Sequence, residues 1–211
     1  MSILDSRSPD RSGFLIVFEG IDGVGKSTQV KRLGAELEKL GHTVHLRKEP
    51  TDGPHGARLR ASAETGRLSP EEELGLFLKD RQQHVSEVIL PALEAGEFVI
   101  LDRYYFSTMA YQGQRGFDVE EIRRDNEAFA PQPDLLIILE LPVEESLRRI
   151  GGRGDTANEF EQREGLEACK ALFDQLGDDF IARIDCRQSI DEVAAEVWGT
   201  VRERLIEAGE I

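Results

Sequence analysis

Positive charge is what this chain has least of: 26 lysines and arginines stand against 41 aspartates and glutamates, for a net charge of −15. That balance makes the chain a poor candidate for a surface that neutralises nucleic-acid phosphates, and we expect neither DNA nor RNA as a partner. The same scarcity makes any local gathering of arginines informative. Cysteine is also rare. Cys169 and Cys186 are the only two, without metal-ligand spacing or a disulfide framework, and we read them as reduced thiols of a cytoplasmic protein. No apolar run approaches the roughly 20 residues of a membrane-spanning helix. Met1 to Ser12 is polar and lacks the apolar core of a secretory signal, so Met1 to Gly13 reads as a disordered leader. Internal repeats and low-complexity stretches are missing as well. The remaining residues, 14–211, suit one α/β domain.

Strand and helix patterns alternate along that domain, the signature of a parallel sheet covered on both faces. Short apolar runs at Phe14 to Phe18, Thr43 to Arg47, Phe98 to Leu101, Leu135 to Leu141 and Phe180 to Ile184 read as five strands, the last weaker and at an edge. Thr28 to Lys39 carries Val30, Leu33 and Leu37 at helical spacing, with Leu40 just beyond. Ser69-Pro70-Glu71-Glu72 reads as a helix start, with a serine cap, proline and acidic residues in the first turn. That helix extends to about Ala95 with a kink or break at Pro91. Glu144 to Ile150 and Ile190 to Ile206 read as further helices. The expected architecture is a doubly wound five-stranded parallel sheet with helices on both faces, whose ligands lie at the carboxyl ends of the strands.

The first strand runs into Gly20-Ile21-Asp22-Gly23-Val24-Gly25-Lys26-Ser27, the pattern G-x-x-x-x-G-K-[S/T], and a helix follows it. Strand, glycine loop and helix together are the context in which this pattern binds the phosphates of a nucleoside triphosphate. Glycines let the backbone approach phosphate oxygens, and the helix N-terminus favours the anion. Lys26 can reach the β- and γ-phosphates, and the hydroxyl of Ser27 can ligate Mg²⁺. Asp102 ends the third strand, where phosphate-loop enzymes keep a carboxylate for the metal. Arg103, beside it, offers a planar fork suited to phosphate oxygens. Phe77 and Arg81 are four apart on one helix, so they share a face. A ring for stacking and a guanidinium for a carbonyl edge suit a flat base, though an aromatic residue on a helix is commonly core. Gly151-Gly152-Arg153-Gly154-Asp155 is a glycine-dense turn carrying an arginine, as in loops that cover a triphosphate. We expect a lid over about residues 150–162.

Taken in order, Phe18 to Thr28, Glu49-Pro50, Phe77 to Arg81 with His84, Asp102-Arg103-Tyr104 and Ser107 to Gly113 resemble the thymidylate kinase family over about residues 14 to 205. The resemblance implies a phosphate-loop fold of the nucleoside monophosphate kinase type. It also implies transfer of the ATP γ-phosphoryl group to dTMP with Mg²⁺, and a homodimer. It implies an ATP site of Gly20, Gly23, Val24, Gly25, Lys26, Ser27 and Thr28, and a metal site of Ser27, Asp102 and Glu49. The acceptor site it implies comprises Asp22, Glu49, Pro50, Arg60, Phe77, Arg81, Arg103, Ser107, Tyr111 and Gln112, with Lys26, Arg103 and Arg153 catalytic. Phe77 would stack on thymine, Arg81 would meet its carbonyl edge, Arg60 the acceptor phosphate, and Asp22 the sugar hydroxyl.

Two departures from the family pattern stand out. Members carry an arginine either in the phosphate loop after the aspartate or in the lid. Gly23 holds the loop position here, so the resemblance assigns that charge to Arg153. Thr51-Asp52-Gly53 follows Glu-Pro where many bacterial members have Gly-Gly-Thr. Other readings are a related kinase with a different acceptor, or a nucleotide-binding paralogue with little catalysis. A guanine-specific switch is disfavoured, because its Asn-Lys-x-Asp base reader is missing.

Overall fold

The computed structural model describes residues 12–66, 68–151 and 159–211. Five strands form one parallel sheet: β1 (Phe14–Glu19), β2 (Val44–Lys48), β3 (Phe98–Asp102), β4 (Leu135–Glu140) and β5 (Ile181–Asp185), in the order β2-β3-β1-β4-β5. The central strands β1 and β3 are buried along their whole length. That burial is why they read as continuous apolar runs rather than alternating ones. The two edge strands, β2 and β5, are only partly buried, in line with the weaker pattern of the fifth.

Around the sheet lie α1 (Lys26–Lys39), α2 (Pro54–Thr65), α3 (Pro70–His84), α4 (Leu90–Glu94), α5 (Tyr105–Gly113), α6 (Val119–Glu127), α7 (Val143–Gly151), α8 (Glu159–Gln175) and α9 (Ile190–Ala208). The fold class is the expected one. Ser69 caps α3 through a full capping box with Glu72, the reciprocal arrangement that satisfies two free amides at a helix start. The break expected at Pro91 falls one turn earlier, where Val85–Ile89 forms a π-helical turn joining α3 to α4. Proline has no N–H to give the carbonyl four residues back, and its ring crowds that carbonyl, so the preceding turn widens.

Register aligns the chemistry. Phe18 and Lys48 both stand opposite Asp102, so β1, β2 and β3 release Glu19, Glu49 and Arg103 at one edge of the sheet. That edge carries every loop bearing the candidate residues of the next section.

Candidate active site

The phosphate loop leaves β1 at Gly20, whose φ is 131°. A Cβ there would sit 2.5 Å from the carbonyl of Leu139 on β4, so only glycine lets the loop turn this close to the sheet. Lys26, the first residue of α1, is buried and donates to the carbonyls of Gly20 and Ile21, each at 2.9 Å. The lysine is thereby folded back over the loop at the place a phosphate would occupy. Burial, followed by the charge of Arg103, lowers its pKa to about 7 despite the opposing pull of Asp22, Asp102 and Glu19. A dianionic phosphate would reverse that preference and favour the ammonium. Ser27 and Thr28 are exposed at the start of α1, and the Ser27 hydroxyl donates to Asp102 Oδ2. Those two hard oxygen groups fit Mg²⁺. Among the described residues no group of three or more His, Cys, Asp or Glu side chains is arranged to hold a metal. Any Mg²⁺ bound here would take most of its ligands from nucleotide and water.

Gly23 has φ 83°. A Cβ there would come within 2.9 Å of the Ser146 carbonyl and 3.2 Å of Ile150 Cγ1, so α7 is packed against the loop at the position where the family pattern allows an arginine. The Ser146 hydroxyl also donates to the Asp22 carbonyl. Gly23 is therefore a packing requirement in this fold as well as a missing charge.

At the end of β3, Arg103 adopts φ 75°, and it is the only non-glycine residue at positive φ among the described residues. Such a backbone is costly for a bulky side chain and marks functional turns. Its amide donates to the Phe18 carbonyl at 3.0 Å. Its guanidinium reaches Ser107 Oγ (2.8 Å), Asp22 Oδ1 (2.6 Å) and the Tyr111 hydroxyl (3.4 Å). Burial opposes its charge, but Tyr111, Asp22 and Glu19 raise its pKa and keep it cationic. Burial likewise opposes the Asp22 charge, yet Arg103 and Lys26 hold the carboxyl below the usual range. Tyr111 also donates to Asp22 Oδ2 at 3.2 Å.

Beside this network lies a cavity of about 250 Å³ walled by Phe77, Arg81, Arg103, Ser107, Thr108 and Tyr111, with Asp22, Glu49, Pro50 and Tyr104. Arg81 is 2% exposed, and each of its nitrogens has a partner: Glu49 Oε2 at 2.8 Å, Asn126 Oδ1 at 2.6 Å and Thr108 Oγ1 at 3.1 Å. The second Glu49 oxygen, Oε1, lies 2.9 Å from His84 Nδ1. Glu49 thus engages Arg81 and His84 with its two oxygens while lining the cleft that also holds Ser27 and Asp102.

A second and larger cleft of about 880 Å³ extends from Ser27, Asp102 and Arg103 towards α2. Arg60 lines it and donates to Pro50 O (3.0 Å), Thr51 O (2.7 Å) and Asp52 Oδ1 (2.9 Å). In this way Arg60 clasps the loop after β2. Asp80 holds the same loop from behind, accepting from Thr51 N and Oγ1 at 2.7 Å each.

Most of the expected acceptor residues line the base-sized cavity, Arg60 lines only the larger cleft, and Gln112 lines neither. It is 1% exposed and bonds Glu73 Oε1 at 3.4 Å, away from the cavity wall. With Tyr111 facing the cavity, the next residue on α5 is rotated by about 100°. Arg153 lies outside the described residues. Thr108, Asn126 and Glu19 contact these residues and were given no role from the sequence, because each acts on a residue distant in sequence and no short-range spacing announces it.

A phosphate loop, a strand-end Asp-Arg pair and an adjoining base-sized cavity at one sheet edge define a phosphate-loop kinase of the nucleoside monophosphate type. Sequence comparison narrows this. The family model described as Thymidylate kinase matches residues 18–197. The thymidylate kinase of Akkermansia muciniphila is 52% identical over 188 residues, covering 89% of this chain and 91% of that protein. The thymidylate kinase of Desulfotalea psychrophila is 47% identical over 195 residues, 92% of this chain and 96% of its own length. That of Xanthomonas euvesicatoria pv. vesicatoria is 51% identical over 164 residues, 78% and 72% of the respective chains. The chain belongs to the thymidylate kinase family.

Proposed function

We propose that this protein transfers the γ-phosphoryl group of ATP to dTMP, giving ADP and dTDP. The observation that carries this reading is the shared wall: Arg103, Glu49 and Pro50 line both the base-sized cavity and the cleft that opens at Ser27 and Asp102. A monophosphate seated with its base between Phe77 and Arg81 would point its phosphate at the triphosphate site. Phe77, half-buried on α3, offers a stacking face. Arg81, locked by three partners, presents its guanidinium edge to a pyrimidine carbonyl without losing rotamer entropy on binding.

Attack by an oxygen of the acceptor phosphate forms the new P–O bond in line as the bond to the ADP oxygen breaks. That oxygen is already ionised at neutral pH, so no side chain has to remove a proton. Positioning and charge neutralisation remain for the protein to supply. Lys26 pairs with the donor phosphates, while Arg103 exchanges Asp22 for phosphate oxygens and bridges donor and acceptor. Arg60 meets the acceptor phosphate, and Asp22 and Tyr111 face the sugar. Mg²⁺ held near Ser27 and Asp102 would neutralise charge on the triphosphate. We assign the remaining cation to Arg153 on the family resemblance alone.

We also place the protein in the cytoplasm as a homodimer, readings supported by its family and its two reduced thiols. No helix among the described residues is long and apolar enough to cross a membrane. The function is tested with purified protein, ATP and Mg²⁺ against dTMP, dUMP, dCMP, dGMP and UMP, following ADP release. Preference for dTMP is expected. Activity confined to the purine acceptor would overturn the reading, and none with any acceptor would favour a binding protein. Light scattering of the same preparation tests the dimer.

A further inference from the structure

We propose that Glu19 is a positioning residue for the phosphate-bridging arginine, acting through Ser107; the role rests on the reading of Arg103 given above. Glu19 ends β1 and is completely buried. Its Oε1 accepts the backbone N–H groups of Tyr104 (2.8 Å) and Ser107 (2.9 Å), and its Oε2 accepts the Ser107 hydroxyl at 2.6 Å. Tyr104 is the N-cap of α5, and no side chain of that helix caps it. A carboxylate from the neighbouring strand therefore accepts from two amides at the helix start, where negative charge is favoured.

The direction of the hydrogen-bond chain follows from what each group can do. A guanidinium only donates, so in its 2.8 Å contact with Arg103 Nη1 the Ser107 oxygen accepts. The single proton of Ser107 then has to go to Glu19. The chain runs from Arg103 to Ser107 to Glu19, and it ends on an acceptor whose charge also faces the arginine. Burial raises the pKa of Glu19 against the lowering effects of Arg103, Ser107, Tyr104 and Lys26. Consecutive residues of β1 hold consecutive amides of the strained turn: Phe18 O takes the N–H of Arg103 and Glu19 takes that of Tyr104. Nothing else in the mechanism uses this carboxylate. Its three contacts go to Tyr104, the residue after the positive-φ Arg103, and to Ser107, which accepts from the Arg103 guanidinium.

Glu19→Gln tests the assignment with little change of shape. Its oxygen can still accept from the two amides, but its NH₂ group meets Ser107 and strands the serine proton. Steady-state rates with ATP and dTMP are compared for Glu19→Gln, Ser107→Ala, the double variant and Arg103→Ala, with a melting curve for each. Each of the first two should lower kcat about tenfold or more, with the ATP KM within about twofold of the parent. The double variant should be no slower than the slower single, as expected for two links of one chain. Wild-type kcat in Glu19→Gln beside a crippled Arg103→Ala would overturn the link alone, as would losses that multiply in the double variant. Undiminished turnover in Arg103→Ala would take down the reading of the arginine and this proposal with it. If Glu19→Gln fails to fold, Ser107→Ala decides: a normal kcat there overturns the chain.

Discussion

The two arginines that line the acceptor cavity are held in contrasting ways. Arg81 is clamped on every nitrogen by residues that are themselves 0–3% exposed: Glu49, Asn126 and Thr108. Its guanidinium also lies 5.4 Å from the centre of the buried Tyr104 ring. Arg103 leans on Ser107, on the hydroxyl of Tyr111 at 3.4 Å and on the half-exposed Asp22. Two of those contacts face the opening of the site, where a phosphate can replace them. A base is read by shape and by a fixed donor pattern, so rigidity helps at that end. A phosphoryl group in transit changes position and charge, so its arginine must be held firmly from behind and loosely in front.

The contrast predicts that activity and stability separate between the two positions. Arg103→Ala should lower kcat about a thousandfold, worth roughly 4 kcal/mol of barrier, and shift the melting temperature less than Arg81→Met does. Arg81→Met leaves the buried carboxylate of Glu49 without its cation. It should cost about 3 kcal/mol of stability, measured by urea unfolding, and should abolish saturation by dTMP. A stable Arg81→Met protein beside an unfolded Arg103→Ala protein would reverse the comparison.

A third substitution asks whether any cation near the phosphates would serve. Gly23→Arg restores the loop arginine that the family pattern allows. The φ of 83° and the 2.9 Å approach to the Ser146 carbonyl make a side chain there strained by about 2 kcal/mol. We expect a lower melting temperature and no rescue of Arg103→Ala. A recovered rate in the double variant would mean that the loop relaxes away from α7 and that position matters less than charge.

How far the sequence carried depended on whether an interaction was local. The phosphate loop, the serine cap at Ser69, the Asp102-Arg103 strand end and the edge character of β5 were all legible, because each is written in residues a few positions apart. Helix α5 was not. Tyr105, Phe106, Thr108, Met109, Ala110 and Gln112 are all buried, so the helix has no wet face to impose a period. Helix α2 carries a weak signal, because Pro54 and Gly56 near its start are residues that favour turns. The Arg81–Asn126 and Glu19–Ser107 contacts join residues 45 and 88 positions apart. Their partners are chosen by the sheet register and the packing of α5 and α6, which short-range patterns do not encode. The resemblance to a family supplied Phe77 and Arg81 as a base reader, where spacing alone favoured core packing.

The smallest difference between the two arginines is also the sharpest, because it compares one hydroxyl with another. Thr108→Val removes an acceptor that is 3% exposed and leaves an Arg81 N–H buried with nothing to bond. An unsatisfied donor of that kind costs about 1.5 kcal/mol, which should raise the dTMP KM about tenfold with little change in kcat. Tyr111→Phe removes a hydroxyl at longer range, 3.4 Å from Arg103 and 3.2 Å from Asp22. It keeps the ring that lies 5.2 Å from the Arg103 guanidinium, so the cation–π contact survives. Arg103 retains Ser107 and Asp22, and solvent can reach the freed donor at the mouth of the site. The expected loss is about 0.5 kcal/mol, or about twofold in kcat. A Tyr111→Phe defect larger than that of Thr108→Val would mean that the phosphate end is the tightly clamped one, and that Arg103 cannot release its front contacts to phosphate as the mechanism requires.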